Sequence, residues 1–443
     1  MSQPGRQLAR QIFAEAMAAT TVEAACARAL RVRDNILVAG GRSYDLASFS
    51  CIQIVSIGKA GATLFDAVRG LLPKQLPVRA VISAPAPPNR LGTDDLYFRG
   101  GHPLPNAASL QAAEAALKLL STADAGTLVI FLISGGASAM FEKPVDSSIT
   151  LPDLIELNQQ LVGSGASIRQ VNVVRKHLST VKGGRLAVAA AQATKLSLFI
   201  SDVPGNALDA LASGPTLPDS TTLDQCRAVA KEYISEEALP PNVRNVLLGP
   251  REETPKLGHP AFRNAYDLIL LDNAALLEAA SSAARQLGFE VAVDNACDDW
   301  DYQEAATYLL QRVAGLRGHT SQHKRFCLLS GGETTVRLPA NPGTGGRNQQ
   351  LCLLAARDLQ DYEDMTLLSA GSDGIDGNSP AAGCVVDETT WRRAQELNLD
   401  PEHTLQAFDA YPLFASLGDA IVTGPSGNNL RDLRILLSGT DLR

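Results

Sequence analysis

The chain is poor in aromatic side chains and has no excess of positive charge. Phe, Trp and Tyr make up 5% of its residues, which argues against a surface that stacks the bases of single-stranded nucleic acid. The formal net charge of −8 argues against bulk electrostatic attraction to nucleic acid or to anionic lipid. A small anionic ligand held by a local cluster of basic residues stays compatible with this composition.

Long apolar runs and paired cysteines are also missing. Polar and charged residues interrupt residues 1–16 in place of a long apolar stretch, so we expect neither a signal peptide nor a membrane-spanning segment of about 20 apolar residues. The seven cysteines are scattered and never spaced as Cys-x-x-Cys, so no structural zinc site is indicated. Several lie in apolar runs, as reduced buried thiols do, and this pattern favours the cytoplasm.

Two common enzyme motifs do not occur. The sequence contains no Gly-x-Gly-x-x-Gly, which weakens an interpretation as a dinucleotide-binding protein. It also contains no Gly-x-Ser-x-Gly, the turn that carries the nucleophile of many hydrolases. The chemistry of this chain must therefore be sought in other residues.

Strand-like and helix-like segments alternate along most of the 443 residues, which predicts an α/β fold with doubly wound sheets. A chain of this length exceeds one ordinary core, so we expect two domains. Pro-rich, charged sequence marks their boundary: 1–240 form a Rossmann-like N-terminal domain, 241–262 a linker and 263–443 a C-terminal α/β domain. Each domain is expected to hold a mostly parallel sheet flanked by helices, with the active-site cleft between them.

The tripeptide Ser-Gly-Gly follows an apolar strand twice, at Ser134–Gly136 and at Ser330–Gly332. Open α/β sheets place their ligand sites at the carboxyl ends of strands, where backbone N–H groups can converge on a phosphate. Because the two turns fall in different predicted domains, they suggest two anion-binding edges. The alternative is that either turn is a plain tight connection.

Charged residues at two further strand ends suit catalysis. Lys59 lies between an apolar strand and a helix, where its ammonium can meet a phosphate or a carboxylate; a solvated lysine is the alternative. Asp202 ends another apolar strand. It is placed to act as a general base or metal ligand, or alternatively to cap the next turn.

The second half of the chain offers an arginine and two carboxylates. Gly343–Arg347 precedes a helix, and glycines beside an arginine suit a carboxylate or a phosphoryl group; a flexible hairpin tip is the alternative. Asp373 and Asp376 follow a strand and supply two close carboxylates of the kind that binds magnesium beside phosphates. A calcium loop is rejected because the Glu expected at its twelfth position is absent.

The densest basic stretch comprises Arg175–His177 and Lys182–Arg185. A site for a polyphosphate tail and a solvated helix face explain it equally well. His102 lies in a Pro-rich turn, and we interpret it as shaping its loop rather than acting as a base.

Together these segments resemble the glycerate 2-kinase family, which combines an N-terminal kinase domain with a C-terminal domain called MOFRL. Each motif alone is weak, but the ordered set covers nearly the whole chain and is specific. The match is carried by Ile57–Ala60, Gly100–Asn106, Ile133–Ala139, Val174–Leu178, Val181–Gly184, Ser201–Gly205, Ala212–Thr216, Leu329–Thr334, Gly345–Gln349, Ser369–Gly377 and Val422–Pro425.

The resemblance implies phosphorylation of D-glycerate by ATP and Mg²⁺ to 2-phosphoglycerate and ADP, within hydroxypyruvate or tartrate metabolism. It assigns Lys59, Asp202 and Arg347 as the catalytic set. Asp202 would orient or deprotonate the 2-hydroxyl, and the two cations would hold the carboxylate and the migrating phosphoryl group. Asp373 or Asp376 would help to place magnesium. The predicted substrate- and nucleotide-binding residues are Gly58, Ser134, Gly135, Gly136, Ser138, Arg175, Lys176, Lys182, Ser330, Gly331, Gly332 and Glu333.

Two departures from the family pattern stand out. Asn206 stands where an Asp is usual, which puts a metal role there in doubt, and Ser426–Asn429 replaces a more Thr-rich turn. The alternative activity is an NAD(P)H-dependent hydroxypyruvate reductase, which the missing dinucleotide motif disfavours, and a third is a non-catalytic sugar-acid-binding protein. We expect D-glycerate and ATP as partners, no nucleic acid or membrane, and a homodimer among the oligomeric states left open.

Overall fold

The computed structural model describes residues 4–235, 237–318 and 325–440. Contacts between residues divide the chain into two compact units. The central unit is Ala25–Leu270, and the terminal unit joins the residues up to Ala24 with those from Leu271 onward. None of the helices within the described ranges is both long and apolar enough to cross a membrane.

Strands and helices alternate along both units. The strands are β1 (Leu30–Arg33), β2 (Ile36–Ala39), β3 (Arg42–Asp45), β4 (Cys51–Ile57), β5 (Val78–Ser83), β6 (Leu96–Phe98), β7 (Thr127–Ile133), β8 (Thr194–Ile200), β9 (Ala265–Leu271), β10 (Glu290–Val293), β11 (Phe326–Gly332), β12 (Met365–Gly371), β13 (Gly383–Asp387), β14 (Ala420–Ile421) and β15 (Asp432–Ser438). The α-helices are α1 (Pro4–Ala19), α2 (Val22–Ala29), α3 (Gly61–Leu71), α4 (Ala107–Leu120), α5 (Ala137–Met140), α6 (Leu151–Gly163), α7 (Ile168–His177), α8 (Arg185–Ala189), α9 (Leu223–Tyr233), α10 (Pro241–Leu248), α11 (Asn273–Gln286), α12 (Tyr302–Gly318), α13 (Arg347–Asp358), α14 (Thr390–Glu396), α15 (Pro401–Ala407) and α16 (Ala410–Leu417).

The central unit is built on a six-stranded sheet in the order β6-β5-β4-β7-β8-β9. Its neighbours from β6 to β8 are paired in parallel, and β7 is buried along its whole length, as the continuous apolar run predicts. The register aligns Ile57 with Ile133 and Ile133 with Phe199. The carboxyl ends of β4, β7 and β8 therefore meet at one edge, where the predicted catalytic residues of this unit follow.

Helix starts in this unit follow the polar residues that precede them. Asn106, Thr150 and Ser167 each accept a hydrogen bond from the backbone N–H three residues on, and each third residue bonds back. Such reciprocal capping satisfies two of the backbone donors that a helix start leaves without a partner. The helices α4, α6 and α7 therefore begin directly after these capping residues.

The terminal unit corrects the prediction of a second mostly parallel sheet. Its sheet runs β10-β11-β15-β12-β13-β14, and only β10 and β11 are paired in parallel. The last strand, β15, inserts between β11 and β12 and is antiparallel to both. An apolar run indicates that a strand is buried but not whether it runs parallel or antiparallel to its neighbours, which explains why a parallel sheet was wrongly predicted. The two-domain α/β class itself is confirmed.

The compact units also differ from the predicted domain boundaries. Helix α1 packs in the terminal unit, where buried Arg6 lies 3.1 Å from Asp387 and 3.5 Å from Asp419. The predicted linker 241–262 contains α10, which buries Val243 and Leu247 against helices of the central unit. The segment is rich in proline and charge, but it contains a packed helix and is not an extended linker throughout.

Candidate active site

Two loops at one edge of the central sheet are hydrogen-bonded to each other. The Lys59 N–H donates to the Gly135 carbonyl oxygen at 2.8 Å, and the Ser134 N–H donates to the Ile57 oxygen at 3.0 Å. The Ala60 N–H donates to Ser134 Oγ at 3.0 Å. The turns that follow β4 and β7 therefore form one joined surface, which the hydrogen bonds of Ser134 hold together.

Three predicted or neighbouring side chains lie against the glycines of this surface. A β-carbon on Gly135 would overlap the carboxylate of Asp202, at 2.7 Å from its Cγ. A β-carbon on Gly136 would lie 3.0 Å from Lys59 Cγ and 3.1 Å from His102 Cδ2. The structure therefore places Lys59 and Asp202 beside adjacent glycines of one turn, and it adds His102.

The same turn leaves backbone donors available to a ligand. The N–H groups of Gly135 and Gly136 donate to none of the residues that the structure describes, and the exposed Lys59 makes no ion pair among them. Gly58 adopts φ +110°, and a β-carbon there would lie 2.5 Å from Ser134 Oγ. Only glycine fits that position, because both the φ angle and the space exclude a side chain.

Two further predicted binding residues of the central unit bond within the protein. Ser138 Oγ is 2.9 Å from Ser213 Oγ, which in turn donates to Asn172 Oδ1. Arg175 donates to Asn158 Oδ1 at 2.8 Å, and burial lowers the pKa of its guanidinium. Both side chains are thus already engaged in packing helices together.

The two predicted lysines of the basic stretch are buried in ion pairs. Lys176 Nζ lies 2.8 Å from Asp209 and 3.2 Å from Asp219. Lys182 is paired with Glu142, and burial lowers the pKa of its ammonium although Glu142 opposes this. Buried ammonium groups need carboxylate partners. The two lysines that we predicted to bind phosphate are therefore neutralised by acids inside the protein.

Arg347 is the centre of a second group of charges, in the terminal unit. Its Nε and Nη2 donate to the Asp432 carboxylate at 2.7 and 3.0 Å, and its Nη2 lies 2.8 Å from Glu333. Burial alone would lower the pKa of Arg347, but these carboxylates raise it. Burial raises the pKa of the Glu333 carboxyl, which Arg347 opposes. The guanidinium is thus held rigidly by two acids.

Strand register explains why these residues meet beside a cavity. Gly332 of β11 and Gly371 of β12 both face Asp432 of β15, so three strand ends converge beside Arg347. The adjoining cavity measures about 580 Å³. Its apolar lining includes Val336, Leu338, Ile375 and Phe408. A volume of this size falls in the range of small-molecule sites.

The second Ser-Gly-Gly turn differs from the first in its donors. The Gly331 N–H donates to Asn295 Oδ1 at 2.8 Å, and the Gly332 N–H donates to Asn273 Oδ1 at 3.1 Å. Ser330 is fully buried, and its Oγ has no hydrogen-bond partner among the described residues. The two glycine N–H groups of this turn are therefore already hydrogen-bonded to side chains of the protein, unlike those of the turn at Ser134.

The two predicted metal ligands have different surroundings. Buried Asp376 accepts hydrogen bonds from the backbone and side chain of both Asn348 and Gln349, at 2.9 to 3.3 Å. It caps α13, and burial raises the pKa of its carboxyl to about 6 against those bonds. Asp373 lines the cavity and accepts one bond, from the Ile375 N–H at 3.1 Å. In the described ranges, no three His, Cys, Asp or Glu side chains cluster as a metal site.

Two residues of these groups were missed by the sequence analysis. His102 was interpreted as a loop-shaping residue, although its position within the Gly100–Asn106 motif was a usable signal. Asp432 is the first residue of the last strand and has no motif of its own, so nothing in the sequence marked it as the partner of Arg347. The side chain of Asn206 lies outside what the structure describes.

Comparison with known proteins gives two family matches. Residues 8–248 match the family model described as a domain of unknown function, DUF4147, and residues 326–432 match the MOFRL family. The chain is similar to the glycerate 2-kinase of Pyrococcus horikoshii, with 32% identity over 98% of this chain and 97% of that protein. It is also similar to the D-glycerate 2-kinase of Thermotoga maritima, with 34% identity over 87% of this chain and 90% of that protein.

Two further matches bear on the choice of activity. A putative hydroxypyruvate reductase of Agrobacterium vitis is 35% identical over 98% of this chain and 94% of that protein. The crystal structure of a glycerate kinase from Thermotoga maritima superposes with a TM-score of 0.84 at 30% identity, covering 98% of this chain and 99% of that one. Both domains of the fold thus recur in a solved relative.

Proposed function

The chain belongs to the glycerate 2-kinase family, and we propose that it transfers the γ-phosphoryl group of ATP to the 2-hydroxyl of D-glycerate. The products are 2-phosphoglycerate and ADP. The observation that carries this proposal is the joined turn of the central unit, where exposed Lys59 and the Asp202 carboxylate flank two available N–H groups. An anion can be held there beside a base, as phosphorylation of a hydroxy acid requires.

Asp202 is the proposed base. As the glycerate oxygen forms its bond to the γ-phosphorus, the bond from that phosphorus to the β–γ bridging oxygen breaks and ADP leaves. The hydroxyl proton passes to the Asp202 carboxylate, which the contact with Gly135 holds in place. Lys59 and the N–H groups of Gly135 and Gly136 bind an anionic oxygen of the substrate. Phosphoryl transfer depends mainly on such positioning and charge stabilisation.

Arg347 is the proposed phosphoryl-binding group. Its Nε and Nη2 are bound by the carboxylates of Glu333 and Asp432. Its Nη1 donates to no residue of the described ranges, so it is available to an oxygen of the ligand. The adjoining cavity of about 580 Å³ is larger than a three-carbon acid needs, and its apolar walls suit the nucleoside of ATP.

Magnesium is proposed to enter as part of the Mg·ATP substrate. Mg²⁺ bound with phosphates commonly takes one or two carboxylates and keeps several waters. Asp373 fits this pattern, because it lines the cavity and only one of its carboxylate oxygens accepts a bond from a described residue. Asp376 does not fit, because four donors already occupy its carboxylate. The ion would neutralise phosphate charge.

The compartment that we propose is the cytoplasm. Cys226 is a buried thiol, and burial raises its pKa to about 12, so it stays protonated and unreactive. Such thiols suit a reducing environment, where structural disulfides are rare.

One pair of assays tests the activity. Purified protein is mixed with Mg·ATP and D-glycerate while ADP release is followed, and with NADH or NADPH and hydroxypyruvate while cofactor oxidation is followed. We expect ADP release that depends on glycerate, with 2-phosphoglycerate identified by NMR. Background ADP release together with prompt cofactor oxidation would establish the reductase instead.

Two variants test the proposed residues. Lys59→Ala and Arg347→Ala should each lower kcat/KM by about 10²–10³-fold, the loss typical of removing one group that stabilises transition-state charge. Lys74→Ala and Arg285→Ala are matched controls, because both residues are exposed and neither contacts the site residues. Wild-type rates in either test variant would remove that residue from the mechanism.

A further inference from the structure

His102 occupies a segment that is fixed on both sides. The Gly101 N–H donates to Ser109 Oγ at 3.0 Å, and Asn106 caps α4 by accepting from the Ser109 N–H at 2.9 Å. A β-carbon on Gly100 would lie 2.5 Å from Ser83 Oγ, at the end of β5. The segment therefore packs against the sheet edge so closely that it presents the His102 ring in a defined place.

That place is across Gly136 from Lys59. A β-carbon on Gly136 would lie 3.1 Å from His102 Cδ2 and 3.5 Å from His102 Nε2, and 3.0 Å from Lys59 Cγ. Because Gly136 has no side chain, the His102 ring and the Lys59 side chain approach its backbone closely from two sides, where even a methyl group would crowd both. The imidazole makes no hydrogen bond to any described residue, so its ring nitrogens are available to a ligand.

The charges around the His102 ring favour a carboxylate. Burial, and then the Lys59 ammonium, lower the pKa of His102, so its imidazole is neutral near pH 7 and can donate one hydrogen bond. The Asp202 carboxylate lies at the adjoining Gly135. A phosphate dianion there would meet the repulsion of Asp202 more strongly than a monoanionic carboxylate would.

The arrangement suits a hydroxy acid. The base Asp202 lies against Gly135, and the His102–Lys59 pair lies against the next residue, Gly136. A carboxylate bound by His102 and Lys59 would thus bring a hydroxyl of the same small molecule near Asp202.

We propose that His102 and Lys59 together bind the carboxylate of the acceptor, with the His102 ring donating a hydrogen bond and Lys59 forming the ion pair. This rests on the proposed function and deepens it, because it makes His102 a substrate-binding residue. His102 is then a determinant of specificity for hydroxy acids over neutral polyols.

The test compares the wild type with His102→Ala, His102→Gln and, as a matched control, His403→Gln at an exposed histidine of α15. Calorimetry measures the Kd of D-glycerate, and initial rates give KM for D-glycerate and for ATP. His102→Ala should raise Kd and KM for D-glycerate by about 10–100-fold, as loss of a hydrogen bond to a charged group does, with KM for ATP unchanged. Glycerol, which lacks the carboxylate, should bind weakly and equally to all four proteins.

The pH dependence separates substrate binding from a structural role. As pH falls from about 8 to about 5.5, protonation of His102 adds positive charge beside the carboxylate, so wild-type KM for D-glycerate should decrease. The facing charges, Lys59 and Asp202, are the same in every variant. His102→Gln keeps a donor but cannot titrate, so this decrease should disappear; it also replaces His102→Ala if the latter misfolds.

Two outcomes are distinguishable. If the wild type forms ADP but His102→Gln keeps both the wild-type Kd for D-glycerate and the wild-type pH dependence of KM, the carboxylate-binding role of His102 is wrong. If the wild type neither binds D-glycerate nor forms ADP with it, the proposed function itself fails.

Discussion

The buried pair of Lys182 and Glu142 gives the sharpest test of how this chain uses its basic stretch. Lys182 has 1% and Glu142 has 6% of its side chain exposed, so each depends on the other for solvation of its charge. Glu142→Gln leaves the ammonium without a counter-charge, and breaking a buried pair in this way costs about 3–5 kcal/mol. Replacing both residues, as Lys182→Met with Glu142→Met, should recover most of that loss because no charge stays buried.

Calorimetric melting measures this effect. For a unit of about 250 residues, each kcal/mol shifts Tm by about 2–4 °C, so Glu142→Gln should lower Tm by about 6–20 °C. Lys143→Met is the matched control, because its pair with Glu114 at 3.6 Å is largely exposed. Exposed pairs contribute about 0–1 kcal/mol, so that control should shift Tm by less than about 4 °C.

The competing hypothesis predicts a different result. If Lys182 binds nucleotide phosphate, Lys182→Met should raise KM for ATP strongly while changing Tm little. That outcome would refute the structural assignment. We expect the reverse: a lowered Tm and, below the transition, an unchanged KM for ATP.

Two further predictions follow from the close contacts at the sites. Gly135→Ala should displace the Asp202 carboxylate and lower kcat by about 10²-fold with the fold retained, whereas Gly163→Ala, with no atom within 4 Å of the new methyl, should leave kcat unchanged. Asp376→Ala should destabilise the terminal unit by about 1–3 kcal/mol in urea unfolding followed by tryptophan fluorescence, without changing the Mg²⁺ dependence of the rate. A shifted Mg²⁺ dependence would show that Asp376 binds the metal after all.

Local features of the fold were predictable from the sequence because their causes are local. Thr150 and Ser167 cap the starts of helices, and a cap can be recognised in a sequence since the capping bond joins residues only three apart. The strand ending at Ile133 is buried along its length, since a continuous apolar run has no polar face to expose. Both inferences needed only a few neighbouring residues.

Features that depend on distant partners were not predictable. The insertion of β15 between β11 and β12 makes the second sheet mainly antiparallel. The residues of β15 do not indicate which strands it pairs with or in which direction. Helix α1 joins the terminal unit through Arg6 and the acids Asp387 and Asp419, hundreds of residues away. Pairings of this kind are decided by the whole chain, so a pattern read along the sequence does not contain them.

The candidate site residues also divide into those that local sequence indicates and those whose role depends on distant partners. Lys59, Asp202 and Arg347 each follow a strand or begin a helix, which the sequence shows locally, and the parallel sheet of the central unit brings Lys59 and Asp202 to one edge. Lys176 and Lys182 were grouped with them on charge alone. Their carboxylate partners Asp219 and Glu142 lie 43 and 40 residues away in sequence, so the neutralisation of the basic stretch was invisible.

The two Ser-Gly-Gly turns show most directly what a motif does and does not determine. Both follow buried strands, and in both the second glycine has a positive φ, at Gly136 and Gly332. The tripeptide therefore determines the turn. Its use depends on neighbours: asparagine side chains occupy the N–H groups of the second turn, whereas those of the first turn donate to no described residue. Backbone donors can become a binding site only where the surrounding side chains leave them unused, so we expect the same three residues to bind a ligand in the central unit and to serve packing alone in the terminal unit.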